Sequence, residues 1–313
     1  MRVFVTGASG HIGSAVVPEL IAAGHQVTGL ARSDASAAAV AALGAAVLRG
    51  DLADLDGLRA AASGADGVIH LAFDHDRMRS GEWAAAIADD LAVVHALGEA
   101  LAGTGKPLVG TSGTLAVAGL GRPATEQDPG CPGGRTDAEN AVLGFAAHDV
   151  RSSVVRLPPI THSTLDRTGF AHSLIAMARQ AGVSGYPGDG ANRWPAGHTL
   201  DAARLYRLAL ERAEPGTRWH AAGDEGIAIR EIAESIGRHL GLPAASIPAD
   251  QLGEHFGFLA PVIVLDGPVS TEETRRALGW EPTHPGLLAG FGEAGYFPDH
   301  ETPAGQPDQA PAR

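Results

Sequence analysis

The segment "RVFVTGASGHIGSAVVPELIAAG", residues 2–24, carries the clearest fold signal in the chain. "RVFVT" is an apolar, β-branched run typical of a buried strand, and "GHIGSAVVPELIAAG" is predicted to be a helix that ends at Gly24. Between them, Gly7 would permit a tight turn, Gly10 would let the backbone approach a pyrophosphate, and Gly13 would let the helix pack close to the strand. The segment therefore predicts a phosphate-binding loop at a helix N-terminus, with a turn that binds no ligand as the alternative.

The alternation of strand and helix continues outward through the first half of the chain. Further strand-like runs are "HQVTGLAR", "AAVLRGDL", "DGVIHLAF", "KPLVGTSG" and "SSVVRLPPI", with helix-like segments between them. This alternation, with strands apolar enough to be buried on both sides, predicts a parallel sheet covered by helices on both faces. The expected fold class is α/β: a doubly wound, parallel-sheet Rossmann domain with a smaller C-terminal substrate lobe.

The domain limits follow from a change of pattern after Ile160. Beyond it, helical segments are separated by loop-rich pieces such as "SGYPGDGANRWPAGH". We expect a dinucleotide-binding Rossmann domain over residues 1–161 and a smaller substrate-binding lobe over 162–298, with a segment near 196–222 returning to the first domain. Residues 299–313 are polar, proline-rich and without apolar periodicity, which predicts a disordered tail.

Composition limits the possible partners. The chain has 313 residues, 44% hydrophobic and 19% charged, with a net charge of −13 and no basic run, so nucleic acid and anionic membranes are not expected partners. The single cysteine, Cys131, excludes an intramolecular disulfide and is typical of a reducing compartment. No apolar run approaches the roughly 20 residues of a membrane span, and the strand-like start "RVFVTGASG" leads us to expect no signal peptide. We expect a cytoplasmic monomer or homodimer that binds a small-molecule substrate.

Several motifs, taken in order, resemble the short-chain dehydrogenase/reductases in their extended and atypical branches, which are similar to NAD-dependent epimerases and dehydratases. The glycines have the spacing "GxxGxxG"; "GDL" (50–52), "HLA" (70–72), "VRLPPI" (155–160), "GHTLDAARLYRLALE" and "TRRALGWEPTHPGLLAGF" follow. The resemblance covers the chain up to about Phe297. With the phosphate loop, it implies cofactor contacts at Gly7, Ser9, Gly10, His11, Ile12, Gly13, Arg32, Ser33, Asp51, Leu52, Leu71, Ala72, Phe73, Thr111, Arg135, Leu157, Pro158 and Pro159.

The end of the second strand, "GLARSD", bears on which nicotinamide cofactor is used. An acidic residue at this point would bind the ribose hydroxyls of NAD. Arg32 instead offers a planar fork of donors suited to a phosphate, and Ser33 adds a hydroxyl, so the sequence favours NADP (NADPH). The alternative is a surface role for Arg32 with Asp34 as the ribose ligand, which would shift the preference toward NAD.

The family's usual acid–base pair is missing. The resemblance implies a tyrosine with a lysine four residues later, yet Tyr186, Tyr206 and Tyr296 all follow Lys106, the only lysine. Counting back from Glu139 places the tyrosine position near Cys131 and the lysine position near Arg135, both within "GCPGGRTDAEN" (130–140). Arg135 keeps a positive charge near the cofactor ribose but cannot transfer protons at neutral pH. Cys131 lies in a glycine-rich loop and is interpreted as a bystander.

Other side chains are candidates for the catalytic and substrate-binding roles. Ser112 and Thr114 lie at the carboxyl end of the fifth strand, where one of them would polarise the reacting group; capping of the loop backbone is the alternative. His75 and His162, which follow the fourth and sixth strands, are candidate proton donors. The candidate substrate contacts are Tyr186, Trp194 and His198, and the alternative for Trp194 is a plug between the lobes. No short ligand spacing links the histidines, so no metal site is predicted.

These features predict an NADP(H)-dependent oxidoreductase that transfers hydride to an activated C=N, C=O or conjugated C=C bond. A substrate that already carries positive charge needs little help from an acid, which is compatible with the missing tyrosine. The alternative is a non-enzymatic NADP-binding sensor or partner-binding protein. A sugar-nucleotide epimerase or dehydratase is a weaker alternative, because it would need the tyrosine base.

Overall fold

The large sheet is the centre of the molecule, whose computed structural model describes residues 1–75, 77, 80–293 and 295–297. Its strands are Arg2–Thr6 (β1), Gln26–Ala31 (β2), Ala46–Arg49 (β3), Gly67–His70 (β4), Pro107–Gly113 (β5), Arg151–Leu157 (β6) and Thr217–His220 (β10). All pair in parallel, in the order β3–β2–β1–β4–β5–β6–β10. The predicted doubly wound parallel sheet is confirmed. The chain reverses its direction across the sheet at β1, which opens a crevice at the carboxyl ends of β1 and β4.

Helices cover both faces of this sheet, and their apolar side chains pack against it. The first half contains Gly13–Ala22 (α1), Asp34–Ala42 (α2), Leu55–Gly64 (α3), Trp83–Leu101 (α4) and Arg135–Gly144 (α5). The second half contains Phe170–Ala181 (α6), Thr199–Arg212 (α7), Ile229–Leu240 (α8), Leu252–Phe256 (α9), Ala260–Ile263 (α10), Glu272–Leu278 (α11) and Leu287–Glu293 (α12). One apolar cluster joins β1 and β5 to α1 and α7, and another joins β4 and β6 to α3, α4 and α5. No described helix has the length and apolar character needed to cross a bilayer.

Two small sheets accompany the second half of the chain. Ile160–His162 (β7), Arg193–His198 (β9) and Asp224–Ala228 (β11) form one, and Ser184–Pro187 (β8) pairs in parallel with Ala244–Ile247 (β12) in the other. The predicted run "SSVVRLPPI" is divided between two sheets: β6 ends at Leu157, and the chain re-enters pairing only at Ile160. Pro158 and Pro159 separate the two strands because neither has an N–H to donate to a ladder.

The segment near 196–222 contacts the large sheet through α7 and β10. Helix α7 packs on α1, β4, β5 and β6, and β10 extends the sheet beyond β6. The exact domain limits stay a prediction. The predicted tail, 299–313, lies outside the described residues.

Residues 119–128, after β5, form a strap over the second half of the chain. Gly119 N donates to Asp266 O at 2.7 Å, and Ala124 exchanges backbone hydrogen bonds with Pro268 and Ser270 at 2.8 and 2.7 Å. The buried carboxylate of Glu126 accepts from both the backbone and the hydroxyl of Thr274, at 2.8 and 2.6 Å. The strap thus fixes the loop that leads to α5.

Candidate active site

The glycine-rich loop between β1 and α1 has the geometry of a phosphate cradle. Gly7 has a φ of +68°, and a Cβ there would lie 2.7 Å from Ala72 N. A Cβ on Gly13 would come within 2.2 Å of Gly7 O, and Gly10 N donates to Gly7 O at 3.0 Å. Only glycine fits at 7 and 13, so the start of α1 can lie close against β1. Ser9 and Gly10 are exposed at the tip, where backbone N–H groups can reach a phosphate.

His11 connects this loop to the second half of the chain. Its Nε2 lies 2.8 Å from Thr199 Oγ1, and its Nδ1 lies 3.9 Å from Asp166 Oδ1. Burial lowers the pKa of His11, with Asp166 opposing that change. The imidazole is thus held at the N-terminus of α7, while Ile12 packs against the core shared by α1 and α7.

The carboxyl end of β2 presents a free arginine. Arg32 is exposed and, within the described part of the chain, has neither a hydrogen bond nor an ion pair. Ser33 caps α2 instead, where its hydroxyl accepts from Ser36 N at 3.1 Å. Asp34 is paired with Arg49 at 3.0 Å, at the end of the neighbouring strand β3. Of the two candidates for the ribose end of a cofactor, Arg32 is the one that keeps its polar atoms available.

Asp51 and Leu52 follow β3 at the same edge of the sheet. Asp51 is exposed, and one of its carboxylate oxygens accepts from Ala53 N at 2.9 Å. Leu52 is half-buried against the apolar cluster of α3 and α4. The turn therefore holds the Asp51 carboxylate at the surface, in the place predicted for the adenine contact.

A buried histidine ends β4 and ties three elements together. His70 Nε2 lies 3.1 Å from Asp90 Oδ1, and His70 Nδ1 lies 2.7 Å from Thr6 Oγ1. Because a carboxylate only accepts, Nε2 carries the proton and Nδ1 accepts from the Thr6 hydroxyl. The pair fixes β1 and β4 to α4, and Ala72 N donates to Thr6 Oγ1 at 3.3 Å. Leu71, Ala72 and Phe73 leave the sheet here, directly beside the glycine-rich loop.

Arg135, at the predicted lysine position, is the first residue of α5. Its guanidinium lies over the Phe73 ring, 4.1 Å from the centroid. Burial lowers the pKa of Arg135, and the nearby Asp90 carboxylate opposes that change. Its Nε is buried without a hydrogen-bond partner among the described residues. A buried donor without an acceptor destabilises the folded protein unless a ligand accepts its hydrogen bond.

The hydroxyls of β5 point to different surroundings. Thr111 Oγ1 donates to His70 O at 2.7 Å and accepts from the buried Tyr206 hydroxyl at 2.8 Å, so this predicted cofactor contact is engaged inside the protein. Ser112 lies beside Glu139 and helps to lower its pKa, although no hydrogen bond of normal geometry joins them. Thr114, where the chain leaves β5, is 1% exposed and its hydroxyl has no partner in the described residues.

Glu139 belongs to a buried ionic cluster behind Ser112. Its carboxylate receives two hydrogen bonds from Arg156, at 3.0 and 2.5 Å, and one from Arg218 at 2.7 Å. These partners outweigh burial and lower the Glu139 pKa. His220 adjoins the cluster: its Nδ1 donates to Ser270 O at 2.9 Å, and its Nε2 lies 3.4 Å from Arg156 NH1. Ser112 therefore faces a structural ion pair.

The loop with the tyrosine position lies beside the turn that follows Thr114. Cys131 is exposed, and its N–H donates to Ala116 O at 3.3 Å. Gly133 and Gly134 have φ values of +101° and +63°, and Gly133 N donates to Asp137 at 2.9 Å. The loop therefore brings Cys131 close to the 3-10 turn Thr114–Val117.

The two candidate proton donors have opposite surroundings. His75 is exposed, and its ring meets the Phe73 ring edge-on with centroids 5.1 Å apart. His162 is 1% exposed, and burial together with the neighbouring His198 lowers its pKa to about 4. Both of its ring nitrogens lack hydrogen-bond partners in the described residues. At neutral pH His162 is therefore a neutral, enclosed imidazole.

His198 immediately precedes α7 and caps its N-terminus. It belongs to a group of three possible metal ligands. His198, Asp201 and His284 place one ligand atom each within 4.8 Å of one another. However, the His198 and His284 rings stack in parallel at 4.3 Å and 6°, so their in-plane lone pairs do not converge. His198 Nδ1 accepts from Leu200 N at 3.2 Å, which leaves the proton of the neutral ring on Nε2. Burial, followed by the neighbouring His284, lowers the pKa of His198, so this neutral form prevails at pH 7. The lone pair of His198 Nδ1 is therefore already engaged by the backbone of α7.

The two aromatic substrate candidates lie apart in the second half. Trp194, predicted as a substrate contact, is fully buried in the apolar cluster of α6 and α8 and so packs within the second half of the chain. Tyr186, on β8, is half-buried beneath the guanidinium of Arg230, 5.3 Å from the ring centroid. Leu157, Pro158 and Pro159 connect β6 to β7, and Pro158 packs against Gly197 of β9.

The sheet order, the glycine loop and the β4 and β5 ends together define an extended short-chain dehydrogenase/reductase-type protein, as the sequence resemblance predicted. The model of the NAD dependent epimerase/dehydratase family matches residues 3–222. The chain belongs to that family, which places it broadly among oxidoreductases of this type.

Several known proteins are similar to this chain in sequence or in fold. An uncharacterised protein of Schizosaccharomyces pombe is 44% identical over 95% of this chain and 100% of its own length. A 3-diazoavenalumate denitrifying reductase of a Streptomyces species is 30% identical over 93% of this chain and 99% of its own. In structure, the dTDP-glucose 4,6-dehydratase DesIV of Streptomyces venezuelae, in a double mutant with bound NAD, matches with a TM-score of 0.73, covering 94% of this chain and 95% of its own at 19% identity. That likeness is one of fold.

Sequence reasoning missed several residues of the site. The His70–Asp90 pair has a weak signal, a histidine ending a buried strand, but its partner lies on a distant helix. Tyr206 was excluded as an acid for want of a lysine, and the structure shows it buried beneath β5 with a raised pKa.

Proposed function

We propose that the protein is an NADP(H)-dependent reductase that delivers hydride to an activated C=O, C=N or conjugated C=C bond, with Thr114 as the polarising hydroxyl. The observation that carries this proposal is the buried, unpartnered Thr114 hydroxyl at the end of β5, beside the loop of Cys131. An open parallel sheet places its ligands at this edge. A buried hydroxyl without a partner is expected to pair with something that enters the site.

The described residues fit a dinucleotide. The start of α1 and the loop from Gly7 to Gly13 would hold the pyrophosphate, and Arg32 would bind the 2′-phosphate of NADP. Arg135, stacked on Phe73, would direct its free donors toward the nicotinamide ribose. When bound, NADPH supplies the hydride.

Thr114 would act on the oxygen of a substrate carbonyl. As hydride reaches the carbon, negative charge develops on the oxygen, and the Thr114 hydroxyl donates a hydrogen bond to it. The proton that completes the alcohol would come from His75 or from water, because His75 is exposed to solvent. We propose His75 rather than His162, since His162 is enclosed and unprotonated at neutral pH.

Two further observations support a reductase over the alternatives. The 3-diazoavenalumate relative carries a reductase name and covers this chain almost completely. A sugar-nucleotide epimerase would need a base in place of Cys131, whose loop supplies only a thiol and glycines. Tight NADPH binding without turnover of any substrate class would favour the sensor alternative instead.

The test compares three substrate classes with two variants. Oxidation of NADPH is followed with ketones, iminium ions and conjugated enones, using the parent protein, Thr114→Ala and Ser112→Ala. We expect Thr114→Ala to lower ketone turnover about 100-fold, the effect typical of a lost oxyanion donor, and to affect iminium reduction much less because no anion forms. Ser112→Ala is the matched control, expected to stay within a few-fold. Equal ketone turnover by Thr114→Ala and the parent would remove Thr114 from this role.

A further inference from the structure

A row of three aromatic rings leads from the core of the second half to solvent. Trp194 is fully buried, and the Phe170 ring tilts against it with centroids 6.0 Å apart. The Phe258 ring meets Phe170 edge-on at 6.2 Å and is 50% exposed. The row thus presents an aromatic face where it reaches the surface, which we call the aromatic wall (Phe170 and Phe258).

The exposure of Phe258 is imposed by its neighbours. It stands in a short 3-10 turn, Gly257–Leu259, between α9 and α10. Phe256 and Leu259 on either side are 1% and 0% exposed, so both are fixed in the core. Gly257, with a φ of +49°, makes the turn that brings Phe258 outward. A ring held outward by buried flanking residues is a built surface feature.

The aromatic wall is connected to the candidate active site through the apolar packing of the second half. Leu115, the residue after Thr114, packs against the same apolar cluster as Phe170. The turn of Thr114 is also joined to the segment after α10, since Gly119 N donates to Asp266 O at 2.7 Å and Gly267 packs against Ala118. The polarising hydroxyl and the wall are therefore on directly connected elements.

Two guanidinium groups in the same half of the chain are already engaged within the protein. Arg193, next to Trp194 in the chain, pairs with Asp266 at 2.9 Å, and Arg230 lies over Tyr186 and donates to Asp189 O. A nucleoside diphosphate needs free cationic donors for its phosphates. An exposed aromatic face, in contrast, suits an uncharged, apolar group.

We propose that the aromatic wall binds an aryl or bulky alkyl substituent of the substrate, so that the protein reduces hydrophobic carbonyl compounds and not sugar nucleotides. The inference rests on the proposed function and specifies its substrate. The substituent would stack on Phe258 and Phe170 while the carbonyl oxygen lies at Thr114.

The test uses two ketones with the same reacting group. Butanone and benzylacetone differ by a phenyl ring that is insulated from the carbonyl, so a difference in kcat/KM reports binding of the ring. We expect benzylacetone to be favoured at least about tenfold, and Phe258→Ala to remove most of that preference with NADPH binding unchanged. Val47→Ala, at an exposed apolar position on β3, is the control and should keep the preference. Equal kcat/KM for the two ketones in the parent would overturn the inference about the wall without contradicting the proposed reductase activity.

A binding measurement keeps the inference testable if neither ketone is reduced. The alcohol derived from benzylacetone cannot react with protein saturated by NADPH, and its binding is measured by calorimetry. Weaker binding by Phe258→Ala than by the parent would support the wall even though the reductase had failed. Equal binding by the two, or displacement of the alcohol by UDP-glucose at similar concentration, would overturn it.

Discussion

At the scale of single residues, the surroundings of the polar atoms distinguish candidates that lie close together in the sequence. Ser112 and Thr114 are two positions apart, and both hydroxyls are buried without a hydrogen bond in the described residues, but only Ser112 lies beside the Glu139 ion pair. Arg32 and Asp34 are also two apart, and the carboxylate is paired with Arg49 while the guanidinium has no partner in the part of the chain that the structure describes. Sequence locates such positions to within one or two residues; the direction of a side chain depends on strand register and on partners from distant segments.

Arg32 should determine the preference for NADPH. Arg32→Asp is expected to weaken NADPH binding by about 1.5–3 kcal/mol, the value of a hydrogen bond to a charged group, because the phosphate loses its donor and meets a carboxylate. NADH binding should fall less or improve. Both affinities are measured by fluorescence titration, with Arg238→Asp, an exposed position in the last turn of α8, as the charge-matched control. An equal loss for the two cofactors would mean that Arg32 does not bind the 2′-phosphate.

Cys131 should be dispensable for the chemistry. Cys131→Ser keeps the size of the side chain and the backbone contact with Ala116, so turnover is expected to stay within a few-fold of the parent. The measurement is kcat with the best ketone, alongside NADPH affinity. A collapse of kcat with intact NADPH binding would show instead that the thiol takes part in the reaction.

At the scale of secondary-structure elements, much of the architecture was predictable, because parallel strands buried on both faces leave apolar runs at regular spacing. The sequence-based predictions failed where contacts between distant segments determine the local structure. The prolines after Leu157 divide one predicted strand between two sheets. Trp194 is of a residue type common in binding sites, but it packs inside a core formed by helices distant in the sequence. Phe258 gives no periodic signal because its exposure depends on its buried neighbours.

The ion pair between α5 and β6 should be essential to this packing. Glu139→Gln leaves the fully buried Arg156 without its counterion, and we expect the free energy of unfolding to fall by about 3–5 kcal/mol. The Glu139 pKa is lowered in the folded protein, so this stabilisation is present at neutral pH and is lost as acid protonates the carboxylate.

Urea denaturation measures the change, and Glu99→Gln is the control. Glu99 pairs with Arg59 at the surface, where loss of a pair typically changes stability by less than about 1 kcal/mol. Similar losses in the free energy of unfolding for the two variants would mean that other groups stabilise the Arg156 charge. The buried pair would then not be what holds α5 to the sheet.

At the scale of the whole molecule, buried neutral histidines make stability depend on pH. His220 has a pKa lowered to about 4 by burial and by Arg156, and His162 has a pKa of about 4 in its own enclosure. An unfolded histidine titrates near 6.5. The folded state therefore favours the neutral rings: their contribution is complete above about pH 6.5 and is lost as the pH falls toward about 4.

His220→Gln should flatten this dependence. Each lowered histidine is expected to reduce the free energy of unfolding by about 2 kcal/mol between pH 7 and pH 5, because the unfolded chain binds the proton more tightly. Urea unfolding at the two pH values gives the slope for the parent and for His220→Gln, in which an amide can replace both ring contacts. His148→Gln, at an exposed position, should retain the parent slope. An unchanged slope in His220→Gln would show that its protonation is not coupled to folding.

The strap of residues 119–128 has a consequence for recombining relatives of this protein. In sequence it lies well before β7, yet its backbone is bonded to residues 266–274. A chimera made with a single crossover near residue 161 would place this strap against a foreign surface and break a matched set of hydrogen bonds. Exchange of substrate specificity between relatives therefore calls for two grafted pieces, the strap and the second half together. Libraries in which both pieces come from the same parent should yield a larger share of folded hybrids than libraries with the single crossover.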